Sequence, residues 1–464
     1  MNLAYILLAF SILLFNGGTK APSERFTTIT VDDLPINKGL NFYYHDSLAN
    51  GYPVTIASVQ KKIILDAPTL LFEANRSQIP FLIYPGEEIN IKYAATDSAL
   101  LYVKGNAERT NELNFFRKLV QETGNVYTGL EASPYHKKTT ALSNFYAFEK
   151  TINKVKNTRL EFLAAYRKKQ PVSNQFAAIA VNSINSVAFT DSLILASNNK
   201  ILLGETQLEK LVSQKLLTLK KLAYQPYQLY QMACLKLLSI TYRGGFSYTI
   251  NDNKKFESMF NFVVKNFEGK TKDFLLTRAI FSANNATISI SKEVLEKYNK
   301  QCTNEQFKKF IVDEITGKRE RSLLEGKDNL LGTDRKTIAT IEEVVSSQKG
   351  KLIVLDFWAS WCVPCRIETP YLKILKQQYQ NKDIVFIAIS IDKRVNDWIK
   401  AGKEEELEAN NFLFLNFDKS LFKNRYKINT IPRYFLIGKD GKIVNDDLAR
   451  PSDPELKTII DKLI

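Results

Sequence analysis

The stretch Leu352–Leu375, LIVLDFWASWCVPCRIETPYLKIL, decides how the rest of this 464-residue chain is read. The run LIVLDFW is short, apolar and rich in β-formers, as a buried strand should be, and a helical spacing follows it. Two of the four cysteines, Cys362 and Cys365, fall at that junction with Val363 and Pro364 between them. Unbonded N–H groups in the first helical turn point at the first cysteine, and the peptide dipoles place partial positive charge there. Both favour thiolate over thiol; cysteines so placed titrate between about 3.5 and 7.5 rather than near 8.5. Cys362, at the mouth of the turn, is the expected nucleophile. Cys365, one turn in and more covered, is expected to attack the mixed disulfide and release the substrate. Pro364 suits the first turn, where a missing N–H costs little.

Other readings of the pair ask for residues the chain lacks. A zinc site needs two further ligands, yet only His45 and His136 are available, with Cys234 and Cys302 isolated in helical segments. A c-type haem needs His after the second cysteine, where Arg366 stands. An inert pair packed in a core is the remaining alternative. No metal and no cofactor is expected.

Outward from the pair the chain alternates in type. Strand IVFIAISI is followed by helical VNDWIKAGKEEELEA, strand FLFLNF, helical SLFKNRY and strand RYFLI; the turn Lys439-Asp440-Gly441 leads to strand KIV and the closing helix PELKTIIDKLI. Such alternation, ending in a hairpin, reads as an α/β sheet covered on both faces.

Asp356 to Cys365, DFWASWCVPC, resembles the thioredoxin active-site segment without a gap, and Arg366-Ile367-Glu368-Thr369-Pro370 resembles its continuation in exported bacterial thioredoxins of the TlpA/ResA type. Thr430 to Ile437, then Lys439 to Lys442, are similar to the segment where that family carries its cis-proline and final hairpin. The resemblance implies a C-terminal α/β thioredoxin fold over residues 333–464 and a redox-active disulfide Cys362–Cys365. It also implies a buried carboxylate, Asp356, beneath the cysteines. Desolvation at the end of an apolar strand would raise its pKa and let it exchange a proton with Cys365. Glu368 corresponds to the family's acidic residue near the active site. Trp361 would flank the site, and cis Pro432 would let Ile431 offer its backbone to an extended substrate segment.

Upstream, residues 23–105 read as a small β-sheet domain of short strands punctuated by Pro35, Gly39, Asn50-Gly51, Pro85-Gly86 and Gly105. Residues 106–325 carry helical stripes such as Phe145, Phe148, Ile152, Val155, Phe162 and Tyr166, stopped by Pro171, and predict an α-helical bundle of about eight helices. Lys318 to Asp334 reads as the linker into the C-terminal unit. The layout is similar to exported, multidomain thioredoxin-like proteins of the Bacteroidetes kind. The run Leu3–Phe15 is uncharged and falls short of the ~20 apolar residues of a membrane span. Residues 1–19 therefore read as a signal peptide for export, with a retained anchor as the alternative.

The net charge of +15 is scattered as singles and pairs, such as Lys168-Lys169 and Lys254-Lys255, without a dense basic stripe or a nucleic-acid motif, so nucleic acid is not an expected partner. The expected function is that of an exported, periplasmic thiol–disulfide oxidoreductase. Its partners would be protein substrates with thiols or disulfides and an envelope thiol–disulfide electron donor. An envelope binding or assembly protein, with the C-terminal unit as accessory, is the alternative.

Overall fold

Two strands at the N-terminus show why this part of the chain forms sheets. In Phe26–Val31 (β1) and Leu40–His45 (β2) every second side chain is buried, the period of a sheet with one face on a core. The computed structural model describes residues 26–32, 40–56, 58–73, 79–94, 98–124, 141–222, 228–241, 253–285, 288, 290–323, 328–407 and 409–464. The leader, residues 1–19, and His136 lie outside them.

Strands β3 (Gly51–Ile56), β4 (Gln60–Ile64), β5 (Thr69–Glu73), β6 (Pro80–Ile83), β7 (Glu88–Ala94) and β8 (Ser98–Tyr102) complete two four-stranded sheets, ordered β4-β1-β7-β8 and β3-β2-β5-β6. Side chains from both sheets, Ile29 and Ile91 with Phe42 and Phe72 among them, share one core, as in a β-sandwich. All five side chains of β5 are buried, so this inner strand shows no alternation. At the Pro85-Gly86 turn Gly86 has φ 79°, a left-handed conformation that glycine adopts without cost.

Nine helices follow among the described residues, one more than expected: α1 (Ala107–Thr123), α2 (Leu142–Lys169), α3 (Asn174–Asn198), α4 (Lys200–Lys221), α5 (Gln228–Thr241), α6 (Asn253–Asn266), α7 (Gly269–Asn285), α8 (Lys292–Gln301) and α9 (Glu305–Leu323). The first packs on β6 and β8 and joins the sandwich to the bundle. By length and composition α3 could cross a membrane, but it is mostly buried and packs against α2 and α5 as a core helix. Cys234 and Cys302 are free and buried in the bundle, and burial pushes the Cys234 thiol up to about 12.

The C-terminal unit is one seven-stranded mixed sheet. Its strands are β9 (Asn329–Gly332), β10 (Ile338–Thr340), β11 (Leu352–Trp358), β12 (Ile384–Ser390), β13 (Asn411–Phe414), β14 (Arg433–Ile437) and β15 (Ile443–Leu448), in the order β10-β9-β13-β12-β11-β14-β15. The three central strands β13, β12 and β11 run parallel, and the outer pairings are antiparallel. Helices α10 (Ile341–Ser346), α11 (Val363–Gln378), α12 (Val395–Glu404), α13 (Leu421–Arg425) and α14 (Pro454–Leu463) lie between and after them. The stretch read as a linker, Lys318 to Asp334, instead holds the end of α9 and the whole of β9. The pairing of β9 with β13 overrides its polar flanks.

Candidate active site

Strand β11 is buried along its whole length, flanked by β12 and β14, and ends at Trp358. Beyond a short turn Cys362 is the N-cap of α11, and its Sγ accepts the backbone N–H of Cys365 at 3.2 Å. Pro364 stands in the first turn, as expected. The two sulfurs form a disulfide, S–S 2.02 Å with the Cα atoms 5.3 Å apart. Both cysteines are only 4% exposed, so the expected contrast between an open Cys362 and a covered Cys365 is absent. They sit in an apolar cluster with Trp358, Ala359, Ala388, Trp398 and Leu415, against which Ile431 packs. Beside them Trp361, 56% exposed, and Pro364 reach solvent.

Polar anchors fix the turn. The N–H and hydroxyl of Ser360 donate to Asp392 at 2.8 and 2.6 Å, and the Ser390 hydroxyl donates to the same carboxylate at 2.7 Å. Burial still raises the pKa of Asp392, opposed by those bonds. The Ile431–Pro432 peptide is cis. Trp361 and Ile431 line one cleft, together with Ser360 and, from the N-terminal sandwich, Gly51, Tyr52 and Pro53.

Asp356 lies within β11 and is buried; its Oδ1 has no hydrogen-bond partner among the described residues. Desolvation pushes its carboxyl up to about 7, with Lys376 pulling down and Glu368 pushing up. Lys376 is lowered by the same burial, with the Asp356 charge opposing. Glu368 is buried too, and its carboxylate accepts the N–H and hydroxyl of Ser452 at 2.9 Å each. It is held against the turn that enters α14.

Sequence reasoning missed the residues around Arg366. This side chain, 1% exposed, donates from Nε to Glu405 at 2.6 Å, from Nη2 to Glu404 at 2.8 Å, and from Nη1 to the carbonyl of Pro53 at 2.6 Å and that of Ser360 at 3.4 Å. Lys61 of β4 closes the group with a 2.5 Å bond to Glu405, and the N–H of Ile64 donates to Glu404 at 3.0 Å. Burial draws Lys61 down; it pushes Glu405 up, but Lys61 and Arg366 outweigh that and hold the carboxyl below its usual range. Two cations and two anions thus bury one another between α11, the end of α12 and the N-terminal sandwich. In the sequence, Glu404-Glu405-Glu406 falls in a stretch read only as helical, and nothing local marks two of its carboxylates for burial.

Residues 350–443 match the thioredoxin-like family. The chain is 31% identical over 123 residues to a thiol-disulfide oxidoreductase ResA of Bacillus cereus, a match covering 25% of this chain and 65% of that protein. Its namesake from Bacillus subtilis (strain 168) is 28% identical over 108 residues, 22% of this chain and 54% of the relative. The chain thus spans less than two thirds of the length of these relatives. Among solved structures, the thioredoxin domain of a thiol-disulfide oxidoreductase from Bacteroides vulgatus is 28% identical, covers 29% of this chain and 90% of its own, and has a TM-score of 0.26. A thiol:disulfide interchange protein from Bacteroides sp. is 27% identical, covers 29% of this chain and 84% of its own, with a TM-score of 0.26.

Proposed function

We propose that this chain, whose C-terminal unit is thioredoxin-like, is an exported thiol–disulfide oxidoreductase acting on proteins of the cell envelope. The observation that carries the reading is the Cys362–Cys365 disulfide at the N-terminus of α11, with one sulfur capping the helix. In the reduced protein the same N–H and dipole favour thiolate at Cys362. That thiolate attacks one sulfur of a client disulfide, forming a mixed disulfide and expelling the other sulfur as thiolate. Cys365 then loses its proton, with Asp356 as acceptor, and attacks Cys362; the Cys362–client bond breaks and the second client thiol leaves. Two electrons pass from the dithiol to the client, whose sulfurs take up two protons. A dithiol protein of the envelope returns the electrons.

Trp361 and Ile431 would receive the client beside the sulfurs, with Pro432 shaping the backbone there. Glu368 is the less direct participant: its ties to Ser452 favour holding α11 over touching substrate. Replacing Cys365 with Ser should trap clients on Cys362 as mixed disulfides that dissociate under reductant. Absence of any such adduct in an envelope extract would refute the redox reading and leave the binding or assembly role in its place.

A further inference from the structure

All three parts of the chain meet at the hairpin between β2 and β3. From the helical region, Arg278 donates to the carbonyl of Leu48 at 3.2 Å and to Asn50 Oδ1 at 2.9 Å, and Gln231 donates to the carbonyl of Asp46 at 3.1 Å. From the C-terminal unit, Asp397 accepts the Tyr52 hydroxyl at 2.9 Å, Lys400 stands 4.2 Å above the Tyr52 ring, and Arg366 holds the carbonyl of Pro53. The hairpin is fixed from both sides.

So pinned, Gly51, Tyr52 and Pro53 form part of the lining of a cleft of about 1070 Å³ that also includes Ser360, Trp361 and Ile431. The active-site turn and the N-terminal sheet therefore face one space. Its volume is near the upper end of ligand pockets, ~300–1,000 Å³, enough to admit a short extended segment. Strand β3 is at the edge of its sheet. Sheet edges carry backbone groups that an extended chain can pair with. At Pro53, which lacks an N–H and gives its carbonyl to Arg366, that pairing is blocked, so the free stretch of the edge lies toward Gly51. The acidic wall residues Asp392, Asp397 and Asp418 face the basic Lys393, Arg394, Lys419 and Lys423. Asp418 is shared by Lys393 and Lys423 at 3.3 and 3.4 Å and Asp397 is paired with Arg394, so charge alone gives the cleft little selectivity.

We infer that the β2–β3 hairpin is the specificity-determining wall of the client site, taking a cysteine-bearing segment between the edge of β3 and the Trp361–Ile431 side. The N-terminal sandwich, and not only the thioredoxin-like unit, then selects what reaches Cys362. This inference rests on the oxidoreductase reading above.

The test uses the full chain and the substitution Gly51→Phe. Gly51 is exposed and lines the cleft, and a Cβ there would meet only the His45 ring, at 3.5 Å, an ordinary contact, so a bulky side chain can be added at the cleft wall without a backbone clash. Val59→Phe, at an exposed position of the same sandwich outside the cleft, is the control. Prereduced protein is mixed in single turnover with two probes: a short unstructured peptide dimerised through one disulfide, and the small aromatic disulfide dithiobis(nitrobenzoate). Gly51→Phe should raise the peptide concentration for half-maximal rate about tenfold, leaving the maximal rate and the reaction with the small disulfide unchanged. Val59→Phe should alter none of these. An unchanged half-maximal concentration in Gly51→Phe overturns the inference. So does an equal loss with both probes, because the hairpin would then support the chemistry instead of choosing the client. A wild-type protein that exchanges with neither probe defeats the oxidoreductase reading itself.

Discussion

At the scale of single residues, Asp356 offers the most direct test, because its carboxyl is pushed up to about 7 chiefly by burial. Below about 4 both folded and unfolded chains keep this proton, and the group contributes no pH dependence. Between there and about 7 only the folded chain keeps it, so stability falls as the pH rises. Above about 7 the loss is complete. Asp356→Asn should therefore be the more stable protein at pH 8, by on the order of a few kcal/mol, with the difference disappearing near pH 4 in thermal melts. The same substitution removes the acceptor proposed for the Cys365 proton. Decay of the mixed disulfide at pH 8 should slow by about a hundredfold, measured by quenched-flow trapping; an unchanged decay would assign Asp356 to packing alone. The cysteine pair at the start of α11 was legible because strand, cap and helix succeed one another within a few residues, whereas Asp356 was singled out by the likeness of its segment to the thioredoxin active site. Arg366 was not: its partner Pro53 is 313 positions away, and no local periodicity reports a contact of that span.

Among the elements, α11 was foreseen from Pro364 and the helical spacing after the cysteines, but that spacing reads as Ile367 to about Tyr379 and the helix begins a turn earlier, at Val363. The short strands β9 and β10, of four and three residues, were hidden for the opposite reason: too few positions to show an alternation, next to charged flanks. Helix α12 approaches β13 closely at Gly402, where a Cβ would come within 2.7 Å of Asn411 Nδ2. That amide has little freedom to retreat. Its Oδ1 accepts both buried indoles, Trp358 at 3.3 Å and Trp398 at 3.0 Å, in the cluster that holds the cysteines. Gly402→Ala should cost about 1–3 kcal/mol of stability, read as a lowered midpoint in denaturant. A variant as stable as the parent would mean that α12 can shift away from β13.

For the whole molecule, the Arg366–Glu404–Glu405–Lys61 group joins the N-terminal sandwich to the redox turn in the interior. Removing one member of a buried charge group leaves the others uncompensated, typically at about 3–5 kcal/mol. Arg366→Met should lose stability on that scale and unfold in separate calorimetric transitions, against a single one expected for the parent. Lys62, whose partner Glu406 lies 3.6 Å away with both side chains about half exposed, is the contrast. Lys62→Ala should cost less than about 1 kcal/mol. A single transition in Arg366→Met would show that other contacts carry the junction. The tie between Lys61 and Glu405, 344 positions apart, also bears on descent. A sign change at one strands a charge in the interior unless the other changes with it. Lineages that retain both halves of this molecule are thus expected to alter the two positions together, and a thioredoxin-like unit exchanged by recombination would arrive with the wrong complement.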